Sequence, residues 1–494
     1  MDKFKKEKYE LKDMKKNNFF RQTLEWFLNI LLLFFILFIS FLSYFDLNKI
    51  EMFLLLPAFS WLLTFLGIAL LLVSSRGKVT FSLIFTIIFI AYQIFPILLT
   101  GPKHLNFGFT QKYHIETVVF SWKIILVFFY FFVSSASFFL NYHFPYKRPA
   151  LSSNILDKEL TNKIFVVLVL ITSIPQLILY SGYAWYAIRF GYSALVNSIH
   201  LFSLYDQNIF DSVLLRITNL HIPITLILWH LGLRNRRKSS IYIALLFLIV
   251  NITIMVITGY RGKAIFPLLS CLIIYQSVVK PLSIKRWLTL GICLIILGGF
   301  VQIYRLQTGG FISKLKNTDN LELEQFFSSI TAEGTNKALF ETVYFFSNNH
   351  RQWNFKSFLH HTFRGIPIIG LKISTGDTPS EWYNKWVFYK EFMKGYGTGY
   401  SLVAESLAYL NNAFFLFAIF LGILIGNTEK ILRSSDALTI FLYIPLLQFI
   451  LASPRNTVLN IFISFYSVSF PIAILFFVIN YILIPKSTSE KISG

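Results

Sequence analysis

The chain has 494 residues, of which 55% are hydrophobic and only 14% are charged, and its mean hydropathy is +0.60. This composition excludes an ordinary soluble protein, and apolar runs of about 20 residues, long enough to cross ~30 Å of hydrocarbon, predict an all-α polytopic membrane protein. The net charge of +21 does not indicate a nucleic-acid partner, because the basic residues stand between apolar runs, where they set topology.

The N-terminal part is predicted to consist of a basic cytoplasmic tail, residues 1–23, followed by nine transmembrane helices in residues 24–303. Placing this tail inside leaves the basic clusters of the short loops on the cytoplasmic side, as the positive-inside rule requires. The predicted spans are Leu24–Phe45, Phe53–Val73, Thr80–Leu99, Val118–Leu140, Ile164–Tyr183, Val213–Leu231, Ile241–Val256, Ala264–Val279 and Trp287–Ile303.

Three cations in this part fall on the predicted outer side. Lys123 and Arg216 lie within the outer halves of spans, where an isolated charge is costly and calls for a reason. Arg261 sits in a short Gly-Tyr-Arg-Gly-Lys hairpin, and its planar fork suits phosphate oxygens. Arg261 is interpreted equally well as an arginine that snorkels to the membrane interface. Arg216 is interpreted equally well as the partner of Asp211 in a buried ion pair.

Residues 304–400 form a long, aromatic-rich polar interval that is predicted to be a partly helical extracytoplasmic loop. Arg305 opens it. Its apolar stretch Phe355–Ile369, which we expect to lie against the membrane interface, carries His360, His361 and Arg364, a possible base and anion clamp. Adjacent histidines on a helix point about 100° apart, so at most one faces a site. A surface helix with incidental histidines is the simpler alternative.

The loop closes on a run of glycines that includes Gly397 and Gly399, and a helix N-terminus is predicted at Ser401. No dinucleotide fingerprint is indicated, because no strand precedes the run. Free N–H groups at the start of a helix favour an anion. Glu405 would enter the membrane from outside, either as a base or as a hydrogen-bond acceptor for the glycine turn.

The C-terminal part, residues 401–484, is predicted to hold three more spans, and residues 485–494 to form a cytoplasmic tail. About twelve transmembrane helices therefore result, with both termini cytoplasmic. Arg455 follows a proline in a very short outer turn and is either a simple turn cation or an anion ligand. The last spans are Ser401–Ile425, Ala437–Ala452 and Leu459–Leu483.

The sequence indicates no metal or cofactor. There is no Asp-x-Asp pair, and the two cysteines, Cys271 and Cys293, fall inside apolar runs without metal-ligand spacing. Cations outnumber plausible metal ligands at each outer site. The implied ligand is an anion near the membrane surface, such as a lipid pyrophosphate.

Four stretches of the sequence form a set of motifs: Gly259-Tyr260-Arg261-Gly262, Asn354-Phe355-Lys356-Ser357-Phe358-Leu359, Arg364-Gly365-Ile366-Pro367 and Gly397 to Asn411, with Gly-x-Gly-x-Ser-x-x-Ala-Glu the most specific piece. Together they resemble the motifs of the oligosaccharide repeat-unit polymerases, the O-antigen or capsular polysaccharide polymerases of Wzy type. The turn after span seven reads Gly-Tyr-Arg here, where Gly-Ser-Arg is common in that family. Asn411-Asn412-Ala413 replaces its usual Asn-Phe-Gly.

The resemblance implies a GT-C-like membrane glycosyltransferase that works without a metal at the outer face of the bacterial cytoplasmic membrane. It would move a growing glycan from undecaprenyl pyrophosphate onto the terminal sugar of a second lipid-linked repeat unit. Arg261 and Arg455 would hold the pyrophosphate, with Arg216, Arg305 or Arg364 assisting. Glu405, or one of the two histidines, would prepare the acceptor hydroxyl.

The resemblance also implies partners, namely undecaprenyl-pyrophosphate-linked oligosaccharides and membrane lipid, with a chain-length regulator and a flippase as possible associates. An O-antigen ligase relative would share the long loop and the cationic site. A transporter or lipid-linked glycan flippase is the alternative from another class, but it would need polar residues at mid-membrane on both faces. Here the outer side dominates.

Overall fold

The computed structural model describes most of the chain. Within the described residues the secondary structure is helical and contains no β-strand. The described residues are 20–39, 49–95, 115–142, 158–191, 195, 209–258, 260–306, 335–347, 352–366, 376–387, 389, 400–434 and 436–483. The two predicted tails lie outside them, except for positions 20–23.

The helices follow the apolar runs of the sequence. We number them in chain order: α1 Phe20–Ile39, α2 Lys49–Ser74, α3 Phe81–Phe89, α4 Ile115–Tyr142, α5 Lys158–Phe190, α6 Ile209–Arg234, α7 Lys238–Ile257, α8 Arg261–Val278, α9 Ile284–Leu306, α10 Thr335–Ser347, α11 Phe355–Phe363, α12 Pro379–Trp382, α13 Leu402–Leu410, α14 Phe415–Gly426, α15 Thr428–Arg433, α16 Ala437–Tyr443, α17 Leu447–Ala452, α18 Leu459–Ser464 and α19 Phe470–Leu483.

Seven helical segments of the described chain are long and apolar enough to cross a membrane, by length and composition. They keep large apolar side chains exposed, such as Phe34 at 58%, Ile178 at 65% and Ile249 at 59%. Such side chains suit contact with lipid rather than water. Three shorter apolar helices are Phe81–Ile94, Gly262–Val278 and Ala437–Ala452. These helices define a polytopic membrane protein; the count of about twelve crossings stays a prediction.

Several predicted spans are interrupted helices rather than straight ones. A π-helix, Ile90–Ile94, continues α3, and a second, Phe465–Ser469, joins α18 to α19. Short 3₁₀ turns separate α13 from α14 and α16 from α17. Pro445 accounts for the break before α17, because proline removes a backbone donor.

The chain divides into two compact units. The first contains Met1–Tyr146, Thr331–Asn354 and Tyr400–Glu429. In its core α14 packs against α4, and a Cβ on Gly422 or on Gly426 would lie 2.7 Å from a backbone oxygen of α4. The two glycines form a Gly-x-x-x-Gly pair, which permits this close approach of helices in a membrane. The Ser74 and Ser137 hydroxyls, 2.6 Å apart, link α2 to α4.

The second unit contains Lys147–Ile330, Phe355–Gly399 and Lys430–Gly494. Thr172 of α5 and the His221 ring of α6 form a buried hydrogen bond of 3.0 Å. The indole of Trp229 donates to the Cys271 carbonyl at 3.1 Å and so ties α6 to α8. Phe441 and Phe476 pack with their ring centroids 4.2 Å apart, which joins α16 to α19.

Candidate functional site

The predicted helix N-terminus at Ser401 is confirmed, and its cap is fully buried. The Ser401 hydroxyl accepts a hydrogen bond from the Ala404 N–H at 3.2 Å, which satisfies one of the free donors of α13. The same hydroxyl donates to the Gln93 side-chain oxygen at 3.0 Å. A residue 308 positions away in the sequence therefore fixes the start of the Glu405 helix.

Gln93 reaches Ser401 from the π-helix that follows α3. Its side chain is 0% exposed. Inserting one residue into a helical turn changes the direction of the side chains that follow it, and such π-turns occur frequently at functional sites. Sequence reasoning missed Gln93, although a glutamine inside an apolar span is a polar signal that could have been followed.

A second buried hydrogen bond lies beside this cap. The Tyr400 hydroxyl and the Thr342 hydroxyl are 2.9 Å apart, and the Thr342 hydroxyl donates to the Ala338 carbonyl at 2.7 Å. Because the threonine proton is engaged there, Tyr400 donates to Thr342. Burial and the nearby Glu405 carboxylate raise the pKa of the Tyr400 phenol, so it stays a neutral donor.

Glu405 occupies the first turn of α13 and is only 1% exposed. An acid in this position is favoured by the positive end of the helix dipole. Its backbone N–H donates to the Ser401 carbonyl at 2.9 Å, which closes the first helical turn. The carboxylate is therefore buried at the start of α13, close enough to Tyr400 to affect its pKa.

The end of α13 is a sharp turn at Asn411, which has a positive φ of +50°. Asparagine tolerates positive φ better than most side chains, so it suits this position. The substitution of the family's Asn-Phe-Gly by Asn411-Asn412-Ala413 therefore still allows the chain to turn before α14.

In the second unit, Arg455 lies in the tight turn between α17 and α18. Its N–H donates to the Ala452 carbonyl at 3.1 Å, and the next N–H, from Asn456, donates to the same oxygen. The side chain is half-buried. The Thr457 hydroxyl accepts from the Asn460 N–H at 3.2 Å and so satisfies one donor in the first turn of α18. These contacts hold the turn that presents Arg455 in one conformation.

The two histidines of the long loop lie on α11 and point in different directions, as adjacent positions on a helix predict. His360 is exposed, whereas His361 is 3% exposed and places its Nε2 3.1 Å from the Gly376 carbonyl. A carbonyl only accepts, so Nε2 carries the proton. Burial lowers the pKa of His361 below its ordinary 6.5, and the neighbouring Arg364 charge lowers it further. At neutral pH the ring is therefore uncharged.

Arg364 follows α11 and makes an ion pair with Glu381, Nη1 to Oε2 at 3.0 Å, while its Nη2 donates to the Gly376 carbonyl at 2.7 Å. His361 and Arg364 thus meet at one carbonyl oxygen. Glu381 also completes a capping box with Thr378 at the start of α12. Burial raises the pKa of Glu381, but hydrogen bonds from Thr378 and the charge of Arg364 outweigh it and bring the pKa below 4.5.

The loop helix α11 rests on α18, the helix that Arg455 precedes. The rings of Phe358 and Phe462 meet edge to face at 5.2 Å. A Cβ on Gly365 would lie 2.7 Å from the Ile463 carbonyl oxygen, so the backbones are nearly in contact. Part of the long loop is therefore docked on a predicted membrane helix, and glycine is required at the point of closest approach.

Some predicted site residues cannot be placed in the same detail. The backbones of Arg216, Arg261 and Arg305 lie in α6, α8 and α9, and their side chains lie outside the described part of the structure. Gly397 and Gly399 lie outside it altogether. Among the residues that the structure does describe, no group of three or more His, Cys, Asp or Glu side chains could hold a metal ion.

The apolar helices define a polytopic membrane protein, and α13 carries the buried acid Glu405 in its first turn. A family model described as "O-antigen polysaccharide polymerase Wzy" matches residues 26–487. The chain therefore belongs to this family and polymerises lipid-linked oligosaccharide repeat units in the membrane. Comparisons with curated proteins and with solved structures gave no match.

Proposed function

We propose that the chain transfers a growing glycan from undecaprenyl pyrophosphate to a second lipid-linked repeat unit, without a metal, at the outer face of the bacterial cytoplasmic membrane. The proposal includes about twelve crossings, a GT-C-like arrangement and cytoplasmic termini. A chain-length regulator and a flippase are its proposed associates. The observation that carries it is the buried acid Glu405, in the first turn of a helix that Ser401 and Gln93 cap.

In this mechanism Glu405 takes the proton of the acceptor hydroxyl, and the hydroxyl oxygen forms a bond to the anomeric carbon of the donor glycan. The bond from that carbon to the pyrophosphate oxygen breaks, and undecaprenyl pyrophosphate leaves with the electron pair. Arg261 and Arg455 bind its phosphates and stabilise the charge that develops there. The leaving group is already a stable anion, so cations alone can assist it.

The other candidate residues take supporting roles. Arg216 and Arg305 assist the two binding arginines. The charge of Arg364 is balanced by Glu381. We therefore propose that Arg364 lies at the edge of the substrate-binding site and orders residues 376–387. His361 donates to Gly376 from Nε2 and keeps a lone pair on Nδ1, so His361 and the exposed His360 are the alternative bases. Gly397 and Gly399 let the chain approach the phosphates closely, and Ser401 supports the site by capping the helix that carries Glu405.

Complementation of a deletion strain tests the proposal. The deletion should leave single repeat units on the surface lipid, and the wild-type chain should restore long glycan. Arg455→Gln and Glu405→Gln should each leave single units while the protein accumulates normally in the membrane. Arg455→Lys, which keeps the charge, is the matched control and should restore short chains. Complete loss of surface glycan in the deletion would contradict the proposal, because it would indicate a flippase.

A further inference from the structure

Lys263, which the predicted phosphate-binding set leaves out, is held in a fixed position by two tyrosines. It lies in the first turn of α8, and its side chain is exposed. The ammonium donates to the Tyr180 hydroxyl at 3.2 Å. It also lies 5.0 Å from the ring centroid of Tyr260 and 5.5 Å from that of Tyr180. Both distances are within the range of cation–π attraction.

The rings that hold Lys263 belong to a packed cluster. Tyr180 of α5 is 4% exposed and packs with Met255 of α7 and Ala264 of α8. Tyr183 meets the Tyr180 ring edge to face at 5.6 Å. One ring that contacts the ammonium is therefore itself packed between helices, which lowers the conformational entropy lost when the lysine is ordered against it.

The charge of this lysine is not neutralised within the described part of the chain. Among the described residues its contacts are the tyrosine hydroxyl and the two ring faces. Aromatic rings attract a cation through their quadrupole but carry no net charge. An ammonium has three donors, and these contacts use one. Two donors and the positive charge are therefore left for other partners, and because the side chain is exposed an anion outside the protein can reach them.

The position of Lys263 in the Gly-Tyr-Arg-Gly-Lys turn favours a pyrophosphate as the anion. Lys263 lies two residues after Arg261, in the same first turn of α8. It would therefore add a second cation at the same end of this helix. A pyrophosphate diester has two phosphoryl groups, and lysine binds phosphate oxygens as a point charge.

We propose that Lys263, held by Tyr180 and Tyr260, binds a phosphoryl group of the lipid-linked pyrophosphate. The inference rests on the proposed function, since that supplies the pyrophosphate. A bulk phospholipid headgroup presents the same phosphate chemistry, so the test must separate the two sources. Aromatic residues and lysine at a membrane interface also serve as anchors, and that role predicts no preference for pyrophosphate.

The test uses the full chain in nanodiscs of phosphatidylcholine, with farnesyl pyrophosphate as the probe and binding measured by calorimetry. Lys263→Gln should weaken binding about 10-fold, since it removes one charge-assisted hydrogen bond. Lys263→Arg, which keeps the charge, should bind more tightly than Lys263→Gln. Tyr180→Phe keeps the ring and loses the hydroxyl, so it should weaken binding only about 3-fold. Lys280→Gln, beyond the other end of α8, is the matched control and should bind as the wild type does.

Each result decides a separate point. Equal binding by the wild type and Lys263→Gln overturns the subsite alone. Failure of the wild type to bind the probe overturns both the subsite and the pyrophosphate donor. A deficit that appears only when phosphatidylglycerol is included assigns Lys263 to bulk lipid and also overturns the subsite. Should Lys263→Gln fail to fold, as judged by thermal unfolding, Tyr180→Phe carries the test, and its binding must fall.

Discussion

The Glu405 segment of the first unit and the Arg364 segment of the second unit hold their charges in different ways. Glu405 is 1% exposed, and the two residues that directly precede its helix, Tyr400 and Ser401, are bonded to Thr342 of α10 and to Gln93 of the π-helix after α3. Arg364 is paired with Glu381, 17 residues further along, in an ion pair that solvent reaches. An ion pair this exposed contributes at most about 1 kcal/mol. A buried acid on a helix that distant residues hold in place suits catalysis. An exposed ion pair between residues close in sequence suits the ordering of a loop.

The largest effect is expected on the rate of glycan transfer, when the charge of Glu405 or of Glu381 is removed. Glu405→Gln should lower the rate of glycan transfer by about 10²- to 10⁴-fold, the usual contribution of a general base. Glu381→Gln, the comparison variant, should change the rate only a few-fold. Transfer is measured with purified protein and a lipid-linked repeat unit. A normal rate for Glu405→Gln, or a loss in Glu381→Gln equal to that in Glu405→Gln, would contradict this distinction.

The docking of the loop helix in the second unit depends on the absence of a side chain at Gly365. Gly365→Ala places a Cβ against the Ile463 backbone and should destabilise the docked helix by about 1–3 kcal/mol. Gly376→Ala is the matched control, because nothing lies within 4 Å of its Cβ position and its carbonyl is retained. Limited proteolysis of the long loop should be faster in Gly365→Ala only. Equal cleavage of the two variants would show that the close approach is not required.

Removing the N-cap of the Glu405 helix should cost the protein about as much stability as Gly365→Ala costs the docked helix, or less. Ser401→Ala removes the N-cap bond and leaves the buried Gln93 oxygen without this donor, so it should destabilise the protein by about 1–2 kcal/mol. Ser401→Thr keeps the hydroxyl and should recover most of the loss. Thermal unfolding in detergent measures both variants. The capping role fails if alanine and threonine at this position unfold at the same temperature as serine.

Acid should loosen the Arg364 segment and not the apolar helix α14. The folded-state pKa values of His361 and Glu381 both lie below their ordinary values of 6.5 and 4.5. The undocked segment therefore binds more protons, and docking loses stability as the pH falls below 6.5, with a further loss below 4.5.

Hydrogen exchange of residues 376–387, corrected for intrinsic rates, should become several-fold faster between about pH 7.5 and about pH 5.5. Phe415–Gly426 contains no titratable side chain and serves as the internal control. Exchange of residues 376–387 that does not change with pH would remove His361 from the docking interaction.

The sequence locates the helices well, because the apolar runs that a membrane requires are visible in it. The described parts of the predicted spans are mostly helical, although the predicted span Ser401–Ile425 is broken by a turn at residues 411–414. The interruptions are less visible: Pro445 marks one, but no local signal marks the π-helix that contains Gln93. Ser401 was predictable as a helix start, since serine followed by an apolar run is a capping pattern.

The partners of these residues could not be predicted. The contact between Lys263 and Tyr180 joins positions 83 residues apart, and that between Ser401 and Gln93 spans 308. No periodicity in a single sequence encodes such pairs. Glu381 was also missed as the partner of Arg364, although it is close in sequence, because the intervening loop could turn in many ways.

The bond between Ser401 and Gln93 sets an order on biosynthesis. At the usual ribosomal speed, serine emerges on the order of 15 to 60 s after glutamine, since 308 residues separate them. The amide of Gln93 must enter the translocon before its permanent partner exists. Nascent chains that stop short of residue 401 should therefore be substrates for quality-control proteases of the membrane, while only full-length chains should escape degradation.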